Sequence, residues 1–214
     1  MKFGLILFFS LVMSSINAQA INPDDSFTFE LGLPNATNNK AYRSIMQGLV
    51  CISPSYQYAL KNGISFGVGL HYSYFAINEF RVQPKIFGGI HSAAAFLKLG
   101  HEKFWTERFG TETGCKIGYL NSFAVSDSIK NYRRTEATFV EPFISFIATS
   151  SVNSSYRLTI GFPFYGFNFT PKTIGILDSN LGYSSADFSK IASAFTISFG
   201  YTFYFNGKKN PDED

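Results

Sequence analysis

The triplet His71-Tyr72-Ser73 is the sharpest chemical feature of the 214-residue chain. On an extended strand, residues two apart share a face. His71 could then act as a base, Ser73 as a nucleophile and Glu79 as an orienting acid. The competing reading is a histidine hydrogen-bonded to polar neighbours inside the fold. Other chemistry is sparse. His71, His91 and His101 are widely spaced, no H-x-x-H or C-x-x-C occurs, and no metal or other cofactor is expected. Gly67/Gly69 and Gly88/Gly89 lack the P-loop pattern and read as thinned walls or bulges. What remains is a scattered set of ionisable residues, acids and bases mixed: Glu30, His71, Lys98, Glu102, Glu112, Lys116, Glu141 and Arg157.

The segments that carry these residues alternate with a period of two. In 26–33, Phe27, Phe29, Leu31 and Leu33 share one face, and Thr28, Glu30 and Gly32 the other. In 49–59, Val50, Ile52, Tyr56 and Tyr58 oppose Cys51, Ser53, Ser55 and Gln57. Lys61-Asn62-Gly63 supplies a hairpin turn. In 64–76, Ile64, Phe66, Val68, Leu70, Tyr72 and Tyr74 oppose Ser65, Gly67, Gly69, His71 and Ser73. Further strands are predicted over 94–105, 109–120, 138–149, 156–167 and 191–205. The register of 94–105 is left open, with Lys98 and Glu102 on its polar face. Pro54, Pro142 and Pro163 fall inside these strands, where each removes a ladder donor. Bulges or shifted strand ends are the expected remedy.

Eight strands are joined alternately by long connections (34–47, 77–92, 121–136, 168–189) and short ones (61–63, 106–108, 150–155). Charged residues make up 15% of the chain, against about 25% in ordinary soluble domains. Aromatics reach 18%, which leaves no case for a disordered chain. A net charge of +3 without a dense Lys/Arg run gives no nucleic-acid footprint. An eight-stranded interior is only wide enough for side chains, so the small, polar face belongs inside and the Phe/Tyr/Ile face outside. An apolar exterior suits lipid. The expected fold class is therefore all-β, an eight-stranded antiparallel up-and-down transmembrane β-barrel over 21–205.

Residues 1–20 (MKFGLILFFSLVMSSINAQA) read as a signal peptide, with Lys2, a short apolar run and Ala18-Gln19-Ala20 as the cleavage pattern. Cleavage falls after Ala18 or Ala20. The polar tail 206–214 would lie on the periplasmic side. Two cysteines, Cys51 and Cys115, are too few for a disulfide scaffold and read as buried or membrane-facing residues, with a bridge between them left open.

The last strand carries a resemblance. Ser198, Gly200, Phe203 and Phe205 match, position by position, the C-terminal insertion signal of bacterial outer-membrane proteins. The chain runs nine residues past that final aromatic. Signal peptide, strand pattern and terminal motif together resemble the small OmpA/OmpX-like, porin-type barrels. The resemblance implies residence in the outer membrane, contact with its lipids and handling by the barrel assembly machinery. His71-Tyr72-Ser73 also resembles the triplet of lipid A 3-O-deacylases. Here, however, Tyr74-Phe75-Ala76 replaces that family's Asn-Ala-Gly, and parity turns His71 and Ser73 away from lipid.

Lys130, Arg133 and Arg134 form a small basic patch in the third long loop, either a solvated loop or a contact for lipopolysaccharide phosphates. The expected role is non-enzymatic: a monomer with a plugged, polar lumen, serving envelope integrity or surface and lipid contact through its long loops. The alternatives are a small-solute porin, a lipid-modifying enzyme and a soluble ligand-binding barrel.

Overall fold

The structure, a computed structural model, describes residues 24–82, 85–175, 184–188 and 190–205. The signal peptide and the polar tail expected at the two ends lie outside these residues. Nine strand segments form one antiparallel sheet: β1 (Ser26–Ala36), β2 (Met46–Ala59), β3 (Ile64–Ile77), β4 (Gly88–Phe104), β5 (Phe109–Ser126), β6 (Arg133–Ser151), β7 (Ser154–Gly161), β8 (Phe164–Asn168) and β9 (Ile191–Tyr204). β1 pairs with β9 from Ser26–Tyr204 to Ala36–Ala194, which closes the sheet into a barrel. β7 and β8 occupy one position between β6 and β9, so the barrel has eight staves.

The break between β7 and β8 is caused by proline chemistry and not by a change of path. Phe143 faces Gly161 and Val140 faces Phe164 in the same register, and Gly161–Thr196 and Phe164–Ser193 likewise agree. Pro163 has no N–H to give. Its carbonyl still accepts from the Ala194 N–H at 2.9 Å, and the Pro142 carbonyl accepts from Phe162 at 3.0 Å. Pro54 stays in register opposite Phe29, while the β2–β3 ladder passes over Ser53 and Pro54. Of the two expected remedies, the strand end is found at Pro163, between β7 and β8, and no bulge lies at Pro54 or Pro142. The register shifts lie instead at Gly48/Val50 and Thr149/Ser151, with another past Phe164.

Outward positions carry the large apolar residues. Leu33 is 67% exposed, Leu97 68% and Phe199 59%, with Phe29, Tyr58, Phe66, Leu70, Ile117 and Tyr201 also in contact with the surroundings. Water would not tolerate so continuous a patch on a monomer. A bilayer requires it, and barrel closure satisfies the backbone that lipid cannot.

The strands run longer than the alternation suggests. β5 and β6 stay paired as far as Ala124–Arg133, so much of the third long connection is strand. The connections that remain include helix α1 (Lys40–Ile45) and three single-turn 3-10 helices. Asn39 caps α1 by accepting from the Tyr42 N–H at 3.0 Å. Its amide donates to the carbonyls of Phe169 (3.1 Å) and Lys190 (2.8 Å), tying the first long connection to the last.

Candidate functional site

The interior is built in three layers. The long-loop mouth is filled by an apolar cluster in which Tyr42 and Ile45 of α1 meet Phe75, Phe139, Tyr165 and Phe169. The Tyr42 ring lies 5.1 Å from Phe75 and 5.3 Å from Phe169, centroid to centroid. At the opposite end Phe104, Ile147 and Tyr204 form a small apolar plate. Between them lies an ionic layer.

All eight ionisable residues singled out in the sequence point inward. Arg157 is buried and forked: its Nη2 lies 2.6 Å from Glu102 Oε2, its Nη1 pairs with Glu112, and its Nε donates to Thr202 Oγ1 at 2.6 Å. Lys98 Nζ is 2.8 Å from Glu112 Oε1 and donates to Gln57 Oε1 at 2.7 Å. Lys116 Nζ sits between Glu30 (3.2 Å) and Glu141 (3.3 Å). Thr159 donates to Glu30 Oε1 at 2.5 Å, and Tyr204 donates to Glu102 Oε1 at 2.7 Å. His71 stands at the edge of the layer, with Nδ1 3.8 Å from both Glu141 Oε2 and Cys51 Sγ.

The two lysines also lie against aromatic faces. Lys98 Nζ is 5.2 Å from the Phe143 centroid, and Lys116 Nζ is 5.4 Å from Phe96 and 5.3 Å from Phe143. Phe96 and Phe143 therefore form the floor between the ionic layer and the apolar mouth. Inward glycines make the room they need: a Cβ on Gly69 would lie 2.5 Å from the Phe96 ring.

Several members of this arrangement are not legible as site residues in the sequence. Tyr204, Thr159 and Thr202 are network partners, and Phe96, Phe143, Phe139 and Tyr165 are large rings on the face expected to be small. For Tyr204 a signal exists, since it is the one large polar side chain on the inward face of β9. For the rings, size points the wrong way.

His71 and Ser73 do share the inward face, but they are not joined. Ser73 Oγ donates to Tyr165 Oη at 3.2 Å, while His71 turns to Cys51 and Glu141. Glu79 sits in a 3-10 turn outside the barrel, 4.0 Å from Lys85 Nζ. The base, nucleophile and acid are thus not assembled. Cys51 of β2 lies inside and Cys115 of β5 faces outward, two strands intervening between them; both are free thiols. Among the described residues no group of three His, Cys, Asp or Glu is placed to hold a metal ion.

The terminal motif divides by parity. Ser198 and Gly200 face the lumen; Phe203 and Phe205 face outward, their rings 5.6 Å apart. In the third long connection Arg134 pairs with Glu136 at 2.8 Å, and Arg133 donates to the Lys172 carbonyl.

No protein-family model matches the sequence, and comparison with curated proteins finds no match. Solved structures do match. Neisserial surface protein A is similar at 10% identity with a TM-score of 0.57, covering 85% of this chain and 97% of that one. The outer membrane protein OprG from Pseudomonas aeruginosa is similar at 10% identity and TM-score 0.54, covering 88% and 99%. Ail, the attachment invasion locus protein of Yersinia pestis, is similar at 10% identity and TM-score 0.50, covering 86% and 99%. The chain has the fold of the small eight-stranded outer-membrane β-barrels, and its apolar outer belt agrees with residence in that membrane.

Proposed function

We propose that this protein is a non-enzymatic outer-membrane barrel with a closed lumen, acting in envelope integrity and in contact with lipids or surfaces through its long connections. The observation that carries the reading is the three-layer interior. An open aqueous channel needs a continuous polar path. Here the carboxylates of Glu102 and Glu112 are fully buried against Arg157, and apolar layers lie above and below them. Pairing acids with bases across the barrel compensates charge that would otherwise draw water inward. The apolar mouth is tied down by the α1 cap at Asn39.

Planar-bilayer recording of the purified, folded barrel tests this. The expected trace is a silent membrane. A steady single-channel conductance refutes the closed lumen and establishes the small-solute pore in its place.

A further inference from the structure

The β1–β2 ladder stops before either strand does. It runs from Ser26–Gln57 to Gly32–Cys51, yet β1 continues to Ala36 along β9 and β2 begins at Met46 along β3. The cause is the register shift at Gly48/Val50. The strands still touch where a Cβ on Gly48 would fall on the Pro34 carbonyl, but pairing is not resumed. The facing edges of 33–35 and 47–49 border a recess of about 490 Å³. The recess lies where the strands run into the long connections that hold α1 and the 3-10 turn Glu79–Arg81, which places it at the headgroup end of the belt. The lipid-facing Leu33 and Leu49 mark the top of the belt beside it, 67% and 45% exposed.

Its lining is cationic and rich in donors. Arg43, from the last turn of α1, and Arg81, from the 3-10 turn Glu79–Arg81, enter from two different connections. Asn35, Gln47 and Asn78 add amides. Asn78 Oδ1 already accepts from the Phe80 N–H at 3.1 Å, which leaves its NH₂ as the group available to a ligand. No acid lines the recess, and among the described residues neither arginine is paired with a carboxylate. The nearest acid in sequence, Glu79, faces Lys85. Two guanidinium forks converging with amide donors match the oxygens of a phosphate, and leucines immediately below match an acyl chain.

We propose that this notch binds the phosphate-bearing headgroup of an outer-leaflet lipid. The proposal rests on the lipid-contact reading above and gives it a place and a chemistry. It is distinct from the Lys130/Arg133/Arg134 patch, whose arginines are already engaged by Glu136 and by the Lys172 carbonyl.

The test is native mass spectrometry of the folded barrel in detergent micelles. Dioleoyl phosphatidic acid is the lipid probe and inorganic phosphate the soluble probe. The wild type is expected to retain one phosphatidic acid. Arg43→Gln/Arg81→Gln should lower that occupancy roughly tenfold, the loss of two charge-assisted contacts at a partly solvated site. Arg133→Gln/Arg134→Gln should leave it unchanged. Heat-modifiable gel mobility establishes that each variant is folded. Equal retention in the Arg43/Arg81 variant overturns the site. Displacement of the lipid by millimolar inorganic phosphate, with a phosphate adduct in its place, overturns the lipid assignment in favour of a soluble anion. Neither result depends on conductance, so failure of this site and failure of the closed-lumen reading are distinguishable.

Discussion

Replacing Arg157 with methionine keeps an unbranched apolar stem but drops the guanidinium, the only cation paired with Glu102 among the described residues. The geometry sets the size of the effect. Glu112 retains Lys98 at 2.8 Å and Ser65 at 3.4 Å. Glu102 keeps only neutral donors, Gln57 at 2.8 Å and Tyr204 at 2.7 Å, and both carboxylates are fully buried. Removing one partner of a buried pair leaves an uncompensated charge and costs about 3–5 kcal/mol. That is a large part of the roughly 5–15 kcal/mol that stabilises a typical fold. The assay is equilibrium urea unfolding of the barrel in lipid vesicles, followed by tryptophan fluorescence. Adding Glu102→Gln to Arg157→Met should restore about 1–3 kcal/mol, because the orphaned charge is gone. Arg157→Lys should fall between wild type and Arg157→Met, since a point charge cannot bridge two carboxylates as a fork does. If Arg157→Met costs less than about 1 kcal/mol, or if Glu102→Gln adds a full second loss to it, the ionic layer does not hold the barrel as argued.

Other expectations use different parts of the molecule. Leu97→Arg puts a charge on the most exposed large apolar residue of β4 and should destabilise the vesicle-inserted barrel by about 2–4 kcal/mol, read by the same unfolding assay. A membrane-impermeant maleimide should leave Cys51 unlabelled in the folded barrel and label it after unfolding; rapid labelling of the folded form would mean an open lumen. Asp187, in the last long connection, is held below the usual aspartate range by the Ser184 N–H and by Lys40 at 3.2 Å. A depressed carboxyl pKa stabilises the contact above the ordinary value of about 3.9 and loses it as pH falls through the lower, folded value. Amide exchange at Ser184, corrected for intrinsic rates, should therefore be equally protected at pH 7 and pH 5, with protection falling only in stronger acid; loss of protection between pH 7 and pH 5 would contradict the sign.

Much of the barrel is written in side-chain parity, because lipid and lumen impose opposite chemistry on alternate residues. Phe27, Phe29, Leu31 and Leu33 against Thr28, Glu30 and Gly32 needed no structure to assign. β4 resisted for a physical reason: its outward face includes Ala93 and Ala95, and its inward face includes Phe96 and Phe104, so size and side are inverted. Strand ends were illegible because the ladder continues above the hydrocarbon, where polar residues such as Asn121, Ser122, Thr135 and Glu136 are acceptable outward or inward. Parity tells which side a charge faces but not which strand it meets. The fork from Arg157 to Glu102 and Glu112 joins β7 to β4 and β5 across the lumen, a relation that only closure of the barrel creates. The apolar mouth depends on a six-residue helix, too short to show an amphipathic period.

The final strand has a consequence for assembly. Its outward face presents Phe203 and Phe205, while its inward face brings Thr202 to Arg157, Tyr204 to Glu102 and, at Gly200, a gap that Glu30 fills; a Cβ there would lie 2.9 Å from Glu30 Cγ. Thr28 and Thr202 meet across the same seam at 2.8 Å. In a sheet that has not closed, Arg157 keeps Thr202 on the adjacent strand, but Glu30 lacks Thr159 and Lys116, and Tyr204 lacks Glu102. Neighbouring strands already pair Lys98 with Glu112 and Lys116 with Glu141, so closing the seam completes the neutralisation by bringing Glu30 and Glu102 to their partners across the lumen.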